Sequence, residues 1–152
     1  MRLLAIVAAL LPQQGVLVPG KSLAGVRLGA TPAQVTKAWG RVHGTCRGCA
    51  HTTWYFTYAQ FDRHGVGVEF RRGRAVALFT LWQPTGWRTS NGLTLGAAAG
   101  EVTRLYGALG RTRCKSYTAF TQSRRADVTA FYVSAETLWG FALMRPQVPV
   151  CR

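Results

Sequence analysis

Acidic side chains are the scarcest chemistry in this chain: five Asp and Glu stand against nineteen Lys and Arg, a formal charge of +14 over 152 residues. The five are Asp62, Glu69, Glu101, Asp127 and Glu136. Glu101 reads as a helix-start residue, and Asp127 and Glu136 flank turns. Only Asp62 and Glu69 are placed to meet, across a hairpin. Catalysis by paired carboxylates needs one partner with a raised pKa, and the neighbouring Arg63, Arg71 and Arg72 push both down. Histidine is as scarce: His43, His51 and His64 all fall in predicted loops. A nucleophile pair of Cys49 and His51 has neither an orienting acid nor an oxyanion hole marked beside it. Ser22, Ser90, Ser116, Ser123 and Ser134 lie in no nucleophile motif. No glycine-rich segment continues into the Gly-Lys-Ser/Thr that would hold phosphate and magnesium. No apolar run is long enough to span a bilayer. These absences lead us to expect no enzyme activity, no cofactor, no resident metal and no integral membrane segment.

What is present is a stretch that occurs twice. Gly25 to Gly40 (GVRLGATPAQVTKAWG) returns 67 positions later as Gly92 to Gly107 (GLTLGAAAGEVTRLYG), with seven of sixteen positions identical. Each copy reads as a short helix. Thr31 is placed to cap the first, Pro32 suits its opening position and Gln34 completes a capping box. Ala98 replaces that cap in the second copy, although Glu101 still favours the helix dipole. Gly40 and Gly107 sit where helices close. Val35 with Trp39, and Val102 with Tyr106, share a face at a spacing of four.

After each helix come runs of strand character. Thr52 to Tyr58 is aromatic and β-branched, with Trp54, Phe56 and Tyr58 on one face and Tyr55 on the other. Gly65 to Arg71 alternates, Arg72-Gly73 makes a tight turn, and Arg74 to Trp82 returns as a hairpin. Strands near Ser116 to Thr121, Val128 to Val133 and Leu138 to Met144 follow the second helix, with a turn at Gln122 to Ala126. A further short strand is expected at Gly15 to Val18. The reading is an α+β fold of two tandem repeats, 15–84 and 85–152. Each is a short helix followed by a three-stranded antiparallel meander, with the sheets joined and one sheet face left open for function. Residues 1–14, Met1-Arg2 followed by the apolar Leu3 to Leu11, read as an export signal.

Four cysteines in an apparently exported chain point to disulfides, and four allow three connectivities. One bridge per repeat would join Cys46 to Cys49 and Cys114 to Cys151. Two other readings stay open: a redox couple at Cys46 and Cys49, and a zinc set of Cys46, Cys49, His51 and Cys114. A redox couple wants a helix N-terminus after its first cysteine, and here the chain runs into a strand.

Aromatic and arginine content supplies the remaining signal. There are five Trp, five Tyr and sixteen Arg, the residue types that anchor binding hot spots. The contact candidates are Trp54, Tyr58, Trp82 and Trp87 with Arg71, Arg72 and Arg74. The function expected is a secreted or cell-envelope binding protein that holds an acidic protein or an envelope polyanion. The alternatives are a polyanion binder held by charge alone, or a Cys-x-x-Cys thiol enzyme.

The Gly-x-x-Leu-Gly segment, the short helix closed by glycine and the meander after it resemble the repeat unit of the β-lactamase inhibitory protein family. They also resemble the small lipoprotein of the outer-membrane barrel-assembly machinery. The resemblance rests on Gly25 to Gly40 and Gly92 to Gly107. It implies tandem α+β repeats making a curved sheet whose concave face grips a partner protein, export, and one disulfide per repeat. The basic charge and the Cys-x-x-Cys spacing depart from that family, and no inhibitor residue is carried over.

Overall fold

The computed structural model describes residues 15–56, 65–81 and 86–152. In chain order its elements are β1 (Val16–Val18), β2 (Ser22–Leu23), α1 (Pro32–Trp39), β3 (Gly44–Thr45), β4 (Thr52–Tyr55), β5 (Gly65–Arg71) and β6 (Arg74–Leu81). Then come β7 (Arg88–Thr89), α2 (Ala99–Tyr106), β8 (Gly110–Arg113), β9 (Thr118–Ser123), β10 (Val128–Ser134) and β11 (Thr137–Met144). Eight strands form one antiparallel sheet in the order β3-β4-β5-β6-β11-β10-β9-β8, and β2-β1-β7 form a small second sheet. The proposed export segment, residues 1–14, lies outside the described residues.

This corrects the expected fold class. The chain is mostly β, not an α+β pair of helix-plus-three-strand units. Among the described residues the helices are two, each of eight residues, and the large sheet takes in two strands that the pattern of apolar residues does not show. These are its outermost strands. β3 is two residues long and β8 is exposed at every position, so neither carries the alternation that a half-buried strand imprints on sequence. The expected turn at Gln122 to Ala126 also moves, because Gln122 pairs with Thr129 and Ser123 with Val128 inside the ladder.

Side-chain alternation gives the large sheet two apolar faces. On one, Val66, Val68, Phe70, Leu78, Phe131, Leu138, Phe141 and Leu143 pack with Val35 and Trp39 of α1, Val102 of α2, and Leu17, Leu23 and Trp87 from the small sheet and its flanks. Helices this short are marginal alone, so docking supplies most of their stability. Thr31 accepts from the Gln34 amide at 3.3 Å while the Gln34 side chain accepts from the Thr31 amide at 2.9 Å, a complete capping box. Ala98 makes no such bond although its backbone is extended as a cap requires. We therefore expect Thr31→Ala to lose about 1 kcal/mol, and Ala98→Asp to gain about 0.5–1 kcal/mol. Thermal unfolding checks both, and no difference between the two helices would overturn this account of their ends.

The hairpin β5–β6 closes through Arg72 and Gly73, at φ of 50° and 70°. That pair of positive angles matches the right-handed twist of its strands. On the second face of the sheet, Ala77, Phe79, Leu81, Ala130, Tyr132, Trp139, Ala142 and Met144 form a second apolar cluster. Neither helix covers it. Instead the segment after β11 folds back, with Val148 buried and Val150 packed against the cluster.

Candidate functional site

The returning C-terminal segment covers only part of the second face. It is held at several points: the Arg145 amide donates to the Val76 carbonyl at 2.9 Å, the Tyr132 hydroxyl to the Val150 carbonyl at 2.7 Å, and the Tyr117 hydroxyl to the Arg152 carbonyl at 2.7 Å. A disulfide joins Cys114 to Cys151 and a second joins Cys46 to Cys49. Beside the segment the sheet face stays open as a cleft of about 550 Å³, with Cys49 and His51 at one rim and Ser116, Ser134, Pro149 and Cys151 at the other.

Strand alternation builds the cleft. In β5, Gly67, Glu69 and Arg71 point away from Val66, Val68 and Phe70. A Cβ on Gly67 would lie 2.4 Å from the Phe79 ring, so the missing side chain lets that ring lie flat over the neighbouring strand. Tyr55 meets Phe79 edge-on at 5.8 Å, and Tyr117 meets Trp139 edge-on at 5.0 Å. Edge-to-face packing of this kind holds rings in fixed orientations, so the aromatic walls are preorganised.

The polar part of the cleft is one carboxylate between two guanidiniums. Glu69 accepts from Arg71 Nε at 2.9 Å on one oxygen and from Arg152 Nη1 at 2.7 Å on the other. Arg152 also lies over the Phe79 ring at 5.2 Å. Burial works against the charged form of Glu69, but the hydrogen bonds and charges of Arg152 and Arg71 outweigh it and hold the carboxyl below the ordinary glutamate range. Both of its oxygens are engaged and it is ionised at neutral pH, so it fixes the C-terminal segment in place. Burial pushes the Tyr132 hydroxyl far up, against the opposing charge of Arg152, and it acts as a neutral donor to the chain above it.

The five sequence-derived contact residues that lie within the described residues are not brought together. Trp87 is 2% exposed and belongs to the core; a Cβ on Gly15 would lie 2.0 Å from its ring, so it offers no surface. Trp54 is half-buried on the helix side of the sheet, stacked on His43 at 4.0 Å and edge-on to Phe70 at 4.8 Å. Arg71 faces the cleft, Arg72 is exposed at the hairpin tip, and Arg74 turns to the other side, donating to the Gly29 carbonyl at 3.3 Å. Tyr58 and Trp82 lie outside the described residues. The zinc-capable set is not assembled, because Cys114 is bonded to Cys151. The cleft residues that sequence reasoning passed over are Tyr55, Tyr117, Trp139 and Arg152, the last lying over the buried Phe79 ring. The available signal was strand parity: Tyr55 is out of phase with Trp54 and Phe56, and Trp139 is out of phase with Leu138.

No protein-family model matches this sequence, and no curated protein does. Among solved structures the chain is similar to an extracellular protein containing a SCP domain from Bacillus anthracis str. Ames, with 10% identity and a TM-score of 0.54 over 78% of this chain. The match takes in 44% of that protein's chain, less than half its length. At that identity the likeness is one of fold.

Proposed function

We propose that this is a non-enzymatic binding protein that works outside the cytoplasm and holds its partner in the cleft on the second sheet face. One observation carries the reading. A sheet face that is otherwise sealed by the C-terminal segment is left open over rigid aromatic walls and Arg71, and both disulfides stand at its rims. Aromatic and arginine side chains held in place lose little conformational entropy on binding. Two disulfides persist in oxidising compartments and rarely in the cytosol, which supports an extracytoplasmic site of action. The partner class that fits is a protein segment or small molecule that offers an apolar ring to Tyr55 and Trp139 and an acidic group to Arg71.

Ser116 and His51 are exposed at opposite rims, so Ser116→Trp and His51→Trp narrow the mouth without touching the core. We expect each to abolish capture of the partner retained by the unchanged protein from its own cell envelope, with thermal unfolding unmoved. Capture that persists in both variants would remove the cleft from consideration. The intact mass measured without reductant should be four hydrogens below the reduced value; two or no missing hydrogens would count against an oxidising compartment.

A further inference from the structure

The chain's cations are not spread evenly over the fold. The tip of β5–β6, the turn 124–127 between β9 and β10, and the start of the C-terminal segment all lie at one end of the large sheet, as the strand register requires. The loop before α1 meets them there. Arg74 donates to the Gly29 carbonyl at 3.3 Å, and Arg145 Nη2 also approaches Gly29, 3.5 Å from where a Cβ would stand. Arg145 also donates to the Ala126 carbonyl at 3.2 Å. Arg124 lies against Gly20, its Nη1 2.5 Å from a would-be Cβ.

Two shallow depressions sit side by side along this ridge. One, about 390 Å³, is lined by Arg27 and Arg74; the other, about 290 Å³, by Lys21, Arg27 and Arg145. Arg27 is common to both. Among the described residues no ion pair neutralises Lys21, Arg27, Arg74, Arg124 or Arg145. Among the described residues the carboxylate on the ridge is Asp127, in the second depression. The other end of the sheet carries Glu136, whose backbone carbonyl accepts from the first amide of α2, and Glu101 in the first turn of that helix. Cations converging on one glycine with a single acid among them repel one another, and an anion seated between them removes that cost.

We infer that this ridge binds a linear polymer carrying a phosphate on each repeating unit, with successive phosphates in the two depressions and Arg27 between them. Guanidiniums bind phosphate oxygens in pairs. From the β5–β6 tip to the β9–β10 turn there are three strand spacings, about 14 Å at ~4.8 Å each, enough for at least two phosphates of an extended chain. A membrane surface fits less well: among the described residues the exposed large apolar side chain is Val42, 88% exposed and beside β3 rather than on the ridge. A duplex fits less well because no element projects to enter a groove; both helices are two turns long and packed on the sheet.

The test is fluorescence anisotropy with end-labelled inorganic polyphosphate, run beside duplex DNA and phosphatidylglycerol vesicles over a range of salt. Arg74→Gln combined with Arg145→Gln should weaken polyphosphate binding at least about tenfold and flatten its salt dependence by roughly 1.4 in log–log slope. Arg111→Gln combined with Arg113→Gln, the same charge change on edge strand β8, should move it less than about twofold. Asp127→Asn should strengthen binding more than Glu136→Gln does, although both raise the net charge by one. Equal effects within either comparison would reduce the ridge to a net-charge effect and overturn the inference, as would tighter binding of the duplex or the vesicles. Should the Arg74 and Arg145 pair fail to fold, the Asp127 and Glu136 comparison decides alone. None of these changes touches the cleft.

Discussion

Replacing Cys114 and Cys151 by serine lowers the free energy of unfolding by about 4 kcal/mol, whereas the same change at Cys46 and Cys49 costs roughly 1.5 kcal/mol. The difference follows from the chain each bridge closes: sequence separations of 37 and 3 residues, entered into the loop-entropy relation for an unfolded chain. The longer bridge has a further consequence. It anchors the C-terminal segment beside Tyr117, and without it Val148 and Val150 lift more readily from Tyr132 and Trp139. Binding of an apolar dye should rise with loss of Cys114–Cys151 and stay flat with loss of Cys46–Cys49. Urea unfolding of both serine pairs gives the comparison, and equal losses would show that the segment is held by its other contacts.

Glu69→Ala is the second large effect, a loss of about 3 kcal/mol. The Arg152 side chain is 12% exposed and the Glu69 side chain 8%. Removing the carboxylate leaves a buried guanidinium without its counterion, and the cost is set by that stranded charge rather than by the worth of the pair. Arg152→Ala leaves Glu69 with Arg71, which is more exposed at 29%, and should cost less. The double change should cost less than the sum of the two, because the pair is removed together. Strict additivity would mean that the two side chains do not act on each other.

The same carboxylate sets an acid limb. Its folded pKa lies below the unfolded glutamate value of about 4.3. The folded state therefore holds fewer protons than the unfolded state in that range, and stability falls as pH falls. The Glu69 contribution is complete above about pH 5 and is lost as the pH drops through 4.3 to the lower folded value. In Glu69→Gln this slope should be shallower. The residual slope belongs in part to Glu101, whose carboxyl is lowered first by its hydrogen bond from Arg104, on an exposed helix surface. An unchanged acid limb in Glu69→Gln would show that Glu69 gains nothing from its two arginines.

Local chemistry was legible wherever it acts over a few residues. The capping box needs only Thr31 and Gln34, and the β5–β6 turn needs only Arg72-Gly73 between two alternating runs. The expected fold class failed where the signal is not local. β3 and β8 become strands by pairing with β4 and β9, and their own residues show no burial pattern. Which aromatics are buried is non-local for a related reason. Trp54 and Trp87 are the side chains that composition marks as sticky, yet burial is the commoner fate of an aromatic residue.

The amino-acid sequence alone determined the strong positive charge, the alternation along Gly65 to Arg71, and the ends of α1, because composition, period and capping depend on residues close together in the chain. It left open which sheet face is covered, by what, and where the charges gather. The tertiary structure decided those: the contact between Arg152 and Glu69 joins residues 83 positions apart, and the ridge collects Lys21, Arg74, Arg124 and Arg145 from segments that meet only once the sheet has closed. Long-range contacts of that kind leave no periodicity behind, so only the folded chain displays them.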